Sequence, residues 1–137
     1  MVIIADSSGL ISTFVQRDQN HNLAKKIKEK TIKDKNIIYL PHEVFSETVN
    51  IVGKKMGHEA AVDLGTTILQ TDLFFVLPSN YALIKRALEM FYKQVQSVSF
   101  TDCMVMAFAD EYETKEIFGF DESFKKNGYI RIGIDGK

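Results

Sequence analysis

Short, dense apolar runs alternate with longer segments of helical period along this chain, and that alternation limits the fold more than any other feature. Val2 to Ala5 is rich in β-branched residues and fits a strand buried on both faces. Ile37 to Leu40, Leu73 to Leu77, Glu116 to Phe120 and a short Tyr129 to Ile132 repeat the pattern. Six stretches between them place apolar residues three and four apart, as in Leu10, Ile11, Phe14 and Val15 or Leu83, Ile84, Ala87 and Leu88. Ser7 or Ser8, Ser79, and Ser99 or Thr101 are the expected caps of the first, fifth and sixth helices, and Pro41 fits the first turn of the third. Strands separated by helices predict a parallel sheet covered on both faces. No repeat, low-complexity tract or long linker interrupts the pattern, so one α/β domain over residues 1–137 is expected.

Composition removes several function classes. The 137 residues carry 17 Lys plus Arg against 18 Asp plus Glu, a net charge of −1, which argues against a purely electrostatic nucleic-acid binder. It leaves room for an enzyme that meets phosphates through a divalent cation. The charge is uneven: Arg17 to Lys35 holds seven basic residues and three acidic ones, and Asp110 to Glu122 six acidic and one basic. Both read as solvated faces, the first with a sharper alternative as a phosphate-contacting surface. A single cysteine, Cys103, allows no internal disulfide. No apolar run reaches the roughly 18 residues of a membrane span, and Met1 to Ala5 is too short for a signal-peptide core. A soluble, cytoplasmic protein is expected.

In open α/β sheets the functional crevice lies beyond the carboxyl ends of the strands, where strand order reverses. Asp6 directly follows the first run, Asp121 directly follows Glu116 to Phe120, and Asp102 opens the sixth helix. Glu43 and Glu47 lie one turn apart after the second strand, on one helix face. Each acid alone reads as a cap, a dipole partner or a solvated side chain. Together at one sheet edge they would repel strongly unless protonated or bound to a cation. Hard oxygen ligands of this kind suit Mg²⁺ or Mn²⁺, the ions of phosphodiester hydrolysis.

Other chemistries lack their residues. There is no G-x-G-x-x-G, no P-loop and no G-x-S-x-G elbow. His42-Glu43 begins like a zinc-protease helix, but Ser46 stands where the second histidine is needed. Asp6-Ser7-Ser8 lacks the second Asp of a haloacid-dehalogenase-like phosphatase. Cys103, Met104 and Met106 read as packing, and the aromatic residues fall on core periods without an exposed stripe.

Four ordered segments resemble the PIN-domain family, especially the small ribonuclease toxins of VapBC type. They are VIIADSSGLI with Asp6, YLPHEVFSETVN with Glu47 six residues after Pro41, SFTDCMVMAFADEYETKEIFGFD with Asp102 and Asp121, and FDESF with Phe124. The match spans nearly the whole chain. Gly119 departs from it, standing where Thr or Ser is common. The resemblance implies a three-layer α/β/α domain around a mainly parallel sheet of four to five strands. It implies a Mg²⁺- or Mn²⁺-dependent endoribonuclease with Asp6, Glu47, Asp102 and Asp121 as metal-binding and catalytic residues. Asp6 and Asp102 would be direct ligands, and Glu47 and Asp121 would act directly or through water. Ser7 and Thr101 would orient the carboxylates, and Lys125 and Lys126 are candidates for substrate phosphates. It also implies a homodimer and a cognate antitoxin, docking on the third and fourth helices. Two other readings remain open at this point: a housekeeping PIN-type RNA-processing nuclease, and a catalytically inactive PIN-like protein-binding module.

Overall fold

A computed structural model describes residues 1–135; the expected domain boundary at residue 137 lies outside them. The chain folds as β1 (Val2–Ala5), α1 (Ser7–Phe14), α2 (His21–Lys33), β2 (Ile37–Pro41), α3 (His42–Met56), α4 (His58–Gln70), β3 (Phe74–Leu77), α5 (Tyr81–Tyr92), α6 (Phe100–Glu111), β4 (Glu116–Phe118), α7 (Glu122–Lys126) and β5 (Ile130–Arg131). The five strands form one sheet of order β3-β2-β1-β4-β5, and every pairing is parallel. Among the described residues seven helices flank it, in the three-layer arrangement that the resemblance implies.

β1 lies at the centre, and its residues Ile3, Ile4 and Ala5 are buried, as a strand covered on both faces requires. From β1 the chain builds outward to β2 and β3 on one side, then crosses to β4 and β5 on the other. Strand order therefore reverses between β1 and β4, and the crevice beyond their carboxyl ends is the natural site of the fold. Ile4 pairs with Ile117 and Ala5 with Phe118, so the two strands leave the sheet side by side.

α6 is the most enclosed helix. Every residue from Cys103 to Ala109 is buried, so it has no polar stripe, and it packs on β1 and β2 with α5 over it. Its buried thiol, Cys103, is pushed up to about 11 by burial and by Asp102, which fits a packing role. The start of α6 is thereby fixed against the centre of the sheet, and Asp102 with it.

Several local expectations are corrected. The caps are Asp6 for α1 and Asn80 for α5, not Ser7, Ser8 or Ser79. Ser99 caps α6, and Pro41 ends β2 and precedes α3. β4 stops at Phe118: its carbonyl accepts from the Asp6 amide, and the Phe120 amide donates out of the sheet to the Ser8 hydroxyl. The aromatic residues do not all follow the core: α5 exposes Tyr81 and Tyr92 with Leu88 between them. Among the described residues no helix is long and apolar enough to cross a membrane.

Candidate functional site

The crevice is built around Asp6. Its backbone N–H donates to the Phe118 carbonyl at 2.9 Å, which stitches the exit of β1 to that of β4. The side chain is only 4 % exposed. Its Oδ2 accepts from the Ser8 hydroxyl at 3.0 Å and caps α1 through a longer 3.5 Å contact with the Ser8 amide. The same Ser8 hydroxyl accepts from the Phe120 N–H at 3.0 Å, so one side chain ties Asp6 to the segment leading to Asp121. The expected hydroxyl partner is Ser7; the hydroxyl on Asp6 is that of Ser8.

Asp6 Oδ1 is buried and has no hydrogen-bond partner. Burial first, then the charge of Asp102, pushes the Asp6 carboxyl up to about 7. Hydrogen bonds from Ser8 and Ser7 pull against that shift, and the charge of Glu47 adds to it. Asp102 is raised as well, by partial burial, with Asp121 and Glu47 contributing. Its Oδ2 accepts from the Ser99 amide at 3.0 Å and the Ser99 hydroxyl accepts from the Asp102 amide at 3.0 Å, a reciprocal cap that fixes the side chain. Asp121 caps α7, with Oδ1 accepting from the Ser123 amide at 2.8 Å.

The charges of Asp102 and Glu47 act on Asp6, and those of Asp121 and Glu47 on Asp102, so the four acids share one electrostatic neighbourhood. Among the described residues none of the four is in an ion pair. Glu43 lines the groove beside Glu47 but turns to the β3–α5 loop: its Oε2 accepts from the Ser79 hydroxyl at 2.9 Å, and its buried Oε1 has no hydrogen-bond partner. Thr101 borders the site instead of bonding to it, lining with Glu47, Ser46 and Lys54 a groove of about 550 Å³ beside α3. Lys125 and Lys126 are exposed on α7.

Gly119 is explained by this packing. A Cβ there would stand 2.9 Å from Asp6 Cβ and 3.2 Å from the Phe124 ring. The glycine lets the segment after β4 pass close behind Asp6, and the hydroxyl that bonds Asp6 comes from Ser8.

Ser8 and Ser99, which the sequence offered only as helix caps, and Arg131, which it did not single out, support the acids. Arg131 donates from Nη1 to the Phe120 carbonyl at 3.0 Å and holds Asp135 through Nε and Nη2 at 2.8 and 2.9 Å. The residue before Asp121 is thus pinned on both sides, its N–H by Ser8 and its carbonyl by Arg131. The D-S-S run and the S-F-T-D box carried a signal for the two serines, while Arg131 carried none.

Among the described residues no three His, Cys, Asp or Glu side chains already converge as an ion-binding group. The donor set nevertheless fits a hard divalent cation. It offers carboxylate oxygens without counter-charge and one buried oxygen, Asp6 Oδ1, without any partner.

A family model described as PIN domain matches residues 3–128. Among solved structures, VapC20 of Mycobacterium tuberculosis, described as a toxin that cleaves the sarcin-ricin loop, superposes with a TM-score of 0.82. The two are 21% identical, and the match covers 95% of this chain and 98% of that one. No curated protein matches the sequence.

Proposed function

The chain belongs to the PIN-domain family, and from that premise we propose that it is a metal-dependent endoribonuclease, the toxin of a toxin–antitoxin pair. The observation that carries this reading is Asp6: a buried, part-orphaned carboxyl at the switch point of the sheet, held near neutrality by burial and by a second acid. Such an arrangement is costly to build and leaves a carboxylate that only a cation or a proton satisfies.

Asp6 and Asp102 would hold Mg²⁺ or Mn²⁺ directly, with Glu47 and Asp121 acting directly or through water. When bound, such an ion supplies Lewis-acid chemistry, acidifying water and neutralising phosphate oxygens. The chain's own residues do the rest. Ser8 orients Asp6 through its hydroxyl, Ser99 orients Asp102, and Ser8 with Arg131 fixes the segment that presents Asp121. The four acids also keep an RNA phosphate away from the cation-free site by repulsion, so substrate and ion are expected to bind together.

The toxin role rests on the VapC-like fold and its resemblance to a toxin of known structure. It carries with it a cytoplasmic location, a homodimer and an antitoxin partner. The expected docking surface on α3 and α4 exposes Val62 and Leu69; α5 exposes a longer apolar series, Ile84, Leu88 and Tyr92. Either face suits a second copy or an antitoxin.

The test is cleavage of purified ribosomal and transfer RNA. The reading expects discrete fragments with Mg²⁺ or Mn²⁺ that vanish with EDTA and with Asp6→Asn. Intact RNA at every ion concentration, from a folded protein, would leave a protein-binding module.

A further inference from the structure

A groove of about 580 Å³ runs between α5 and α7 on the Asp121 side of the acids. Its walls are one face of each helix: Arg86, Met90 and Lys93 on α5 and its end, Ser123, Lys126 and Asn127 on α7 and its end. It begins next to the candidate site, because the Ser123 amide is the group that bonds Asp121. Lys93 and Lys126 are exposed, and among the described residues neither is in an ion pair. Arg86 is held by Asp110, and Glu89 is the carboxylate of the lining.

Two further features set this groove apart from an ordinary surface hollow. Gln94 and Asn127 bond each other reciprocally at 3.0 Å across it, so two amides are held in place on opposite walls. Ser123 is 7 % exposed, and its hydroxyl has no hydrogen-bond partner.

We propose that the α5–α7 groove is a binding subsite for the phosphodiester backbone of single-stranded RNA, flanking the phosphate that the acids cleave. The inference rests on the nuclease reading above. The acid cluster is anionic and offers the RNA no cation of its own, so the protein must supply attraction beside it. Lys93 and Lys126 do so from facing walls, and the Gln94 amide, with one N–H left over from its pairing with Asn127, adds a donor to a phosphate oxygen or base edge. The groove beside α3, with Lys54, lies on the Glu47 side, so a strand crossing the acids meets a cation on both flanks.

The test uses the wild-type full chain with a fluorescein-labelled 12-nucleotide RNA of mixed sequence in Ca²⁺, a hard cation that suits carboxylate oxygens, and gels of the probe check that it stays intact. Anisotropy titrations over a salt series compare it with the same protein carrying Lys93→Gln and Lys126→Gln, and with one carrying Lys25→Gln and Lys26→Gln on α2. All four lysines are exposed, so folding should be preserved, and melting and gel filtration check it. The groove pair is expected to weaken binding by about tenfold and to lower the slope of log Kd against log salt by about 1.4, two single-strand phosphate contacts. The α2 pair should change both far less. An unchanged Kd in the groove pair, an effect matched or exceeded by the α2 pair, or a change in oligomeric state in its place overturns the proposal. Absence of RNA binding by the parent protein overturns it too; RNA cleavage by the wild type then shows whether the nuclease reading survives.

Discussion

Asp6 and Asp135 are the same residue type in opposite circumstances. Asp135, in the C-terminal turn, is held by Arg131 through two side-chain donors and a backbone amide, and its carboxyl drops to about 2. Asp6, at the exit of β1, meets other carboxylates and no cation, and its carboxyl rises to about 7. The C-terminal turn is complete as a structure. The crevice is left unsatisfied by the protein itself, which is the mark of a place that needs a ligand. Arg131 joins the two regions, since the guanidinium that holds Asp135 also anchors the carbonyl before Asp121.

Asp6→Asn should have the largest effect, because it removes the charge and keeps the shape. RNA cleavage is expected to fall by more than about 100-fold, beyond what loss of a ligand-orienting partner usually costs. Without metal the variant should be more stable than the wild type at neutral pH, since a shift from 3.8 to about 7 is a penalty on the order of 4 kcal/mol. A less stable variant in calorimetry would show that the crevice is not strained by this charge.

Next in size is the contrast between the two helix acids. Glu47→Gln should cost activity much more than Glu43→Gln, because Glu47 shares the field of Asp6 and Asp102 while Glu43 bonds Ser79. Initial rates on one RNA substrate decide it, and the reverse order would move the site by a helical turn.

Ser8→Ala should lower activity by about 10–100-fold, the usual range for a partner that orients a ligand. Gly119→Ala would force a Cβ to 2.9 Å from Asp6 and should destabilise by about 1–3 kcal/mol, read as a lower denaturant midpoint. An unchanged midpoint would mean that the segment after β4 yields there.

The pH signature sets the two carboxyls against each other directly. Asp6 has a raised carboxyl, so its contribution to metal-free stability falls as pH rises from about 4 to about 7. Asp135 has a lowered one, so its contribution is present above about 4 and is lost as pH falls through about 2. Stability curves of Asp6→Asn and Asp135→Asn should therefore lose slopes of opposite sign in separate pH windows. A shared window would erase the contrast.

Much of the architecture was legible because it rests on period and order. Buried parallel strands declare themselves as dense apolar runs, and βα alternation brings their exits to one edge. Asp6 and Asp121 stand at two of those exits and Asp102 in the first turn of α6, places visible in the sequence, while Glu47 is preferred to Glu43 on the Pro41 spacing of the family it resembles. What escaped was set by three-dimensional neighbours. α7 spans five residues, too few for a helical period, and it starts from the Asp121 cap. The choice between Ser7 and Ser8 depends on which hydroxyl turns back to Asp6. Ser79 looked like a cap but serves Glu43, which leaves Asn80 to cap α5. Arg131 reaches Phe120 only once β5 pairs with β4.

Thermal unfolding of the wild type and Asp6→Asn at neutral pH, in EDTA and in Mn²⁺ or Mg²⁺, tests the central claim most directly. The account predicts that metal raises the wild-type midpoint and that Asp6→Asn abolishes most of that rise. An equal rise in both proteins, or none in either, would contradict a carboxylate metal site at Asp6.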